Sequence, residues 1–224
     1  MDRRTFLKTG AGAVGSAWAA PAVRSWAQTS TTAAQSFEIS LAEWSLNKTL
    51  RAGKMTNLDF PRVAKRDFGI ERVEFVDQFF ADKCNDKAYL GELKQRAADE
   101  GVALGLIMLD TNGPLGAARK QGRDRAVGRT FAWIDAAAFL GCGTVRINAR
   151  GDDDPDELKA AMIESCTSLA DYAAERDINV VIENHGGPSS DPIWLTSVMK
   201  AVGKPNFGTL PDFGNFPPDI DRYD

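Results

Sequence analysis

Ile178-Asn179-Val180-Val181-Ile182-Glu183, followed at once by Asn184-His185, is a short apolar run that ends in a carboxylate. Val180, Val181 and Ile182 belong in a strand buried on both faces, as in a parallel sheet. An acid closing such a strand stands at the carboxyl edge of the sheet, where α/β proteins place their chemistry. The pattern recurs thirty residues on, in Phe207-Gly208-Thr209-Leu210-Pro211-Asp212 before Phe213-Gly214-Asn215. One helix separates the two runs, so both acids point to the same rim. Paired rim carboxylates suit a divalent metal or proton transfer. Either acid alone reads equally well as the N-cap of the helix after it.

Strand-like and helix-like segments alternate from Phe37 to the end of the chain. The strand candidates are Phe37–Ala42, Ile70–Val76, Val102–Met108, Thr144–Asn148, Asn179–Glu183 and Gly208–Asp212. Helix starts are legible at Asp154-Pro155-Asp156-Glu157 and Asp191-Pro192, each an N-cap acid with proline in the first helical position. Leu158, Met162, Leu169, Tyr172 and Ala173 hold helical spacing; so do Val127, Phe131 and Ile134. Gly101, Gly141 and Gly203 are placed to end helices. Strand-helix units of about thirty residues imply a parallel sheet with right-handed crossovers. No G-x-G-x-x-G or phosphate loop follows the first strand, which weakens a nucleotide-binding reading. Acids and amides at several strand ends favour a (β/α)₈ TIM barrel, whose site is assembled from all its strand ends. Only about six of the eight βα units are found, and such a barrel takes about 250 residues. The expectation is therefore an incomplete barrel over residues 37–224, truncated at its C-terminus.

The first residues, Arg3-Arg4-Thr5-Phe6-Leu7-Lys8 and a small, weakly apolar stretch from Gly10 to Val23, resemble a twin-arginine (Tat) export signal. Ser25-Trp26-Ala27 offers small residues at the cleavage positions. Residues 1–27 are expected to be the signal, 28–36 a linker, and the periplasm the destination. The apolar run is too short to span a bilayer, and no cysteine follows it, so no membrane anchor is expected.

Removing residues 1–27 leaves 23 basic and 30 acidic side chains, a net charge of −7. An acidic chain without a basic stripe is a poor nucleic-acid binder. Cys84, Cys142 and Cys166 form no C-x-x-C pair and read as free thiols, the last two in the core.

Val73-Glu74-Phe75, Val145-Arg146-Ile147-Asn148, the Glu183-Asn184-His185 stretch and Gly208 to Asn215 together resemble the xylose isomerase-like sugar phosphate isomerase/epimerase superfamily, over roughly Phe37 to Asp224. The resemblance implies a divalent-metal site with Glu183 and Asp212 as ligands. It also implies a His and a Glu from a seventh and an eighth strand, both beyond Asp224. Oxygen ligands with one imidazole suit Mn²⁺, Mg²⁺ or Co²⁺. Glu183 is further implied as an acid/base group. Metal-held sugar oxygens polarise a carbonyl, and a neighbouring carboxylate moves the adjacent carbon-bound proton.

The expected substrate is a small carbohydrate. Glu74 is a candidate for a hydroxyl contact or support of Glu183, or a surface acid. Arg146 and Asn148, two apart on one strand, are candidates for the barrel mouth. Arg146 would hold an anionic group or neutralise Glu183. His185, the single histidine, is a candidate for substrate contact or loop packing, and Trp44 for stacking on a sugar face. Asn215 stands where many epimerases of this family carry a substrate-binding histidine, a departure from standard ketose epimerisation.

The expected activity is an exported, metal-dependent isomerase or epimerase. The alternatives are a sugar lyase or dehydratase on the same fold and a non-catalytic sugar-binding protein. Apurinic endonucleases share the fold but need several histidines and a basic face. An oligomer is compatible with the sequence.

Overall fold

The computed structural model describes residues 38–218. The expected signal, the linker and Phe37 lie outside the described residues. Six parallel strands form one sheet in chain order: β1 Leu41–Ala42, β2 Arg72–Val76, β3 Ala103–Met108, β4 Thr144–Asn148, β5 Asn179–Glu183 and β6 Phe207–Leu210. The helices are α1 Asn47–Arg51, α2 Phe60–Phe68, α3 Lys87–Asp99, α4 Lys120–Leu140, α5 Pro155–Ala174 and α6 Pro192–Val202. This is a partial TIM barrel. Among the described residues no helix is long and apolar enough to cross a membrane.

The helix ends follow from local chemistry. Asp154 accepts from the Asp156 and Glu157 backbone N–H groups at 2.9 and 3.0 Å, and Pro155 opens α5. Asp191 caps α6 in the same way. Gly141, at φ 88°, closes α4 in the left-handed conformation.

Strand residues alternate between two apolar layers. Val73, Phe75, Ile107, Val145, Ile147, Val180 and Ile182 face the helices in the main core, with Leu158, Met162 and Leu169 of α5. Val76, Leu106 and Met108 face the barrel interior. A bulge sets this alternation in β3. Val73 pairs with Leu104 but Glu74 pairs with Leu106, so Gly105 is an extra residue. It puts Leu104 on the helix side and Leu106 on the inner side. A side chain there would crowd Val73, whose carbonyl oxygen lies 3.2 Å from an added Cβ.

Four strands are shorter than expected, β2 and β3 only at their starts, at Arg72 and Ala103, and β1 and β6 more consequentially. β1 pairs only through Leu41 and Ala42. Before it, Glu38 and Ser40 reach Arg72 and Glu74 by side chains instead, at 2.9 and 2.5 Å. β6 stops at Leu210, because Pro211 has no N–H to continue the ladder. Asp212 therefore stands two residues past its strand rather than at its end. Cys142 and Cys166 are buried, Cys84 is half-buried, and all three are free thiols.

Glu43, just after β1, is fully buried. It accepts from the Val76 N–H at 3.0 Å and from Asn57 Nδ2 at 2.9 Å. Burial raises its carboxyl to about 7, and these two neutral donors offset that only in part. The folded state thus holds the proton more tightly than the unfolded chain. Stability attributable to Glu43 is present below its unfolded value and lost as pH rises towards and through 7. Glu43→Gln is expected to flatten the stability profile between pH 5 and pH 8, and to be on the order of 3 kcal/mol more stable than wild type at the upper end. In that variant the new amide oxygen takes over the Val76 N–H. The Asn57 amide flips, turning its Oδ1 to the new N–H₂ and its Nδ2 to the Tyr89 oxygen, so the buried amides stay paired and the half-buried Tyr89 hydroxyl gives up its bond to Asn57 Oδ1. Urea titrations across that range check this; parallel profiles for the two proteins would contradict it.

Candidate active site

The carboxyl ends of the strands surround a cleft of about 900 Å³. Glu183, the last residue of β5, is 6% exposed. Arg146 on neighbouring β4 is 3% exposed and lies between two carboxylates. Its Nη1 donates to Asp110 Oδ1 at 2.8 Å, and its Nε lies 2.8 Å from Glu183 Oε2. The Nε contact is a close ion pair without hydrogen-bond alignment, so charge more than direction holds that oxygen.

Asp110 is the hub on this side of the cleft. It also accepts from Asn148 Nδ2 at 2.9 Å and Gln78 Nε2 at 3.1 Å, and its carbonyl accepts from Arg150 Nη1 at 2.9 Å. Burial pushes the Asp110 carboxyl up, but the Arg146 guanidinium and the other donors outweigh it, so the group lies below its ordinary value. Asp77 fixes the loop beneath, accepting from the Asp110 and Thr111 backbone N–H groups at 2.9 Å each. Arg150 is positioned by backbone contact between two loops, where Gly116 N–H donates to its carbonyl at 2.8 Å.

On the other side, Glu183 Oε1 faces His185 Nδ1 at 3.0 Å. Asn215 Nδ2 donates to Asp212 Oδ2 at 2.9 Å and reaches Glu183 Oε1 at 3.4 Å, so one amide bridges both acids. Fully buried Asn184 fixes the position of Asp212. Its Oδ1 accepts from the Asp212 N–H at 2.6 Å, and its Nδ2 donates to the Asp212 carbonyl at 2.8 Å. That pair of bonds replaces the ladder rung that Pro211 cannot make. Asp212 Oδ1 also accepts from Gly214 N–H at 2.7 Å.

The structure thus brings Glu183, Asp212, Arg146, His185, Asn215 and Trp44 to one cleft. Trp44 is 46% exposed there, with the Arg51 guanidinium carbon 5.2 Å from its ring centroid. Asn148 sits behind Asp110, and its Oδ1 is buried without a partner. Glu74 does not line the cleft; it is tied to Ser40 deeper in the sheet. Sequence reasoning missed Asp110, Arg150, Gln78 and Asn184. Asp110 had a signal: Met108-Leu109-Asp110 is a third apolar run closing on an acid.

Glu183 and Asp212 offer hard, anionic oxygens around a single amide, a donor chemistry that fits Mg²⁺ or Mn²⁺. They supply only part of a coordination shell. Among the described residues no group of three or more His, Cys, Asp or Glu side chains stands where a metal ion could be held.

A parallel βα arc with its polar residues gathered at the strand ends defines a TIM-barrel protein. The chain belongs to the xylose isomerase-like TIM barrel family, whose model matches residues 63–219. No curated protein matches the chain. Among solved structures it is similar to D-psicose 3-epimerase in the presence of D-fructose, with 18% identity, a TM-score of 0.60, and 80% of this chain and 64% of that chain covered. It is also similar to 3-keto-D-glucoside 4-epimerase from E. coli, with 14% identity, a TM-score of 0.62, and 74% and 67% covered. A xylose isomerase-like TIM barrel protein from Mycobacterium smegmatis in complex with magnesium shares 19% identity at a TM-score of 0.57, with 70% and 55% covered. The chain therefore spans about 64% of the length of the first of these and 55% of the last. These likenesses concern the fold.

Proposed function

We propose that the protein is a divalent-metal-dependent isomerase or epimerase of a sugar or keto-sugar, acting by proton transfer next to a carbonyl. The observation that carries this reading is the placement of Glu183. Its carboxylate ends a buried strand in the cleft, beside Asp212, with Arg146 against one oxygen and His185 against the other. Glu183 and Asp212 would hold the cation. When bound, it would hold neighbouring sugar oxygens and polarise the carbonyl.

The residues of this chain do the rest. Glu183 takes up the proton from the carbon beside the carbonyl. Arg146 pairs with that carboxylate and fixes it, itself held by Asp110. With Nδ1 engaged by Glu183, His185 has Nε2 as its free polar atom for a substrate hydroxyl. Trp44 offers an exposed ring to a sugar face. The presence of epimerases among the structural neighbours agrees with this reading. The test is to incubate the protein with a ketohexose and Mn²⁺ in D₂O and follow the carbon-bound protons by NMR. Deuterium is expected at the carbon beside the carbonyl; a substrate panel with no exchange would overturn the reading.

We propose further that the precursor is exported to the periplasm by the twin-arginine pathway, on the strength of Arg3-Arg4 and the weakly apolar stretch that follows. Changing both arginines to lysine is expected to leave the precursor uncleaved in the cytoplasm. Processing after Ala27 at the wild-type level in that variant would contradict it.

A further inference from the structure

Beside the cleft, on the α3–α4 side, lies a second concavity of about 570 Å³. The loop after β2 at Cys84 and Asn85, the loop after β3 at Thr111 and Asn112, and one face of α4 wall it. Two arginines of α4, Arg125 and Arg129, line it, and no acid does. They stand one helical turn apart, so their side chains share a face, and like charges at that spacing destabilise a helix. Most other guanidiniums among the described residues find carboxylates, as Arg66, Arg123 and Arg176 do, though Arg51 and Arg119 do not. Neither Arg125 nor Arg129 forms an ion pair among the described residues.

Two glycines shape the space. Gly128 lies between the arginines on the lining face, and a Cβ added there meets nothing within 4 Å. Glycine inside a helix is destabilising, but here any long side chain would project into the concavity. Gly113, at φ +95°, brings loop backbone against Arg129, whose Nη1 lies 3.1 Å from an added Cβ. The loop thus leaves room for that guanidinium, and both arginine side chains are exposed to solvent. Buried Trp133 supplies an apolar floor.

We propose that this concavity binds a dianionic tetrahedral oxyanion, phosphate or sulfate, free or as the ester end of a small molecule. Two guanidinium forks supply the matching charge and paired N–H donors. Thr111 lines both this concavity and the cleft, so the occupant would lie against the active-site wall.

Calorimetric titration of the protein with sodium phosphate, then sodium sulfate, against sodium chloride at equal ionic strength tests it. Saturable binding of both dianions and none of chloride is expected. Arg125→Gln and Arg129→Gln should each weaken phosphate binding about tenfold or more, and the double variant should abolish it. Gly128→Leu should abolish it too, with both charges in place, by filling the space. In phosphate-free buffer the arginine variants should melt at or above the wild-type temperature, since they lose only a repulsion, which separates lost binding from lost folding. No saturable binding by wild type, unchanged affinity in the double variant, or full binding by Gly128→Leu would each overturn the proposal.

Discussion

Replacing Arg146 with methionine is expected to cost about 3–5 kcal/mol of stability at neutral pH, because it leaves buried Glu183 without its cation and partly buried Asp110 with only the more distant Arg150. Arg146 is 3% exposed and contacts Asp110 and Glu183 at 2.8 Å each. Methionine keeps most of the volume, so packing changes little and the loss is electrostatic. For a domain whose whole stability is about 5–15 kcal/mol, this is a large share. The effect has a pH signature. The folded state holds Asp110 below its ordinary value, so its contribution is present above the unfolded value and lost as pH falls through the folded one. The gap between wild type and Arg146→Met should narrow as both proteins are acidified. Adding Asp110→Asn to Arg146→Met should recover part of the loss, since the unpaired charge is gone and the new amide oxygen still accepts from Asn148 Nδ2, the contact given up being that with half-buried Gln78. Urea denaturation at neutral and acidic pH measures all of this. A cost under about 1 kcal/mol would mean that the triad is screened like a surface pair.

The second large effect separates the two cleft acids. Asp212→Asn keeps the shape and the Gly214 N–H bond but turns an amide N–H₂ towards Asn215, so it removes one of two anionic oxygens facing that residue. It should weaken Mn²⁺ binding about tenfold or more, a change of about 1.4 kcal/mol. Glu183→Gln should weaken metal binding as well and also remove the proton acceptor, worth about 10²–10⁴-fold in proton transfer. Excess Mn²⁺ is then expected to restore the first variant and not the second.

How far the sequence reaches is clearest strand by strand. β4 and β5 are bounded as read, because Val145, Ile147, Val180 and Ile182 all face the main core and nothing interrupts their ladders. β6 ends early at Pro211, whose missing N–H was visible in the sequence. The substitute for that lost rung, the side-chain amide of Asn184, is a tertiary contact that no local pattern encodes. Gly105 was a legible mark of irregularity in β3, but which residue it sends to which layer depends on pairing with β2. At the site, Glu183 and Asp212 were legible from one repeated pattern. Asp110 fits the same pattern less visibly, because its strand ends two residues sooner. Glu74 followed the strand rule but lies too deep in the sheet to reach the cleft. The mutual neutralisation of Arg146 by Asp110 and Glu183 joins three strands and appears only when the sheet is assembled.

In the proposed reaction the strand-end acids form one site in which Glu183 moves the proton. Its most direct test is deuterium incorporation into a ketohexose in D₂O at saturating Mn²⁺, measured for wild type, Asp212→Asn and Glu183→Gln. Exchange by wild type, recovery of most of it by Asp212→Asn at high metal, and loss of about 10²-fold or more in Glu183→Gln at every metal concentration are the predicted results. Exchange by Glu183→Gln at the wild-type rate would contradict the account and leave Glu183 a structural partner of Arg146.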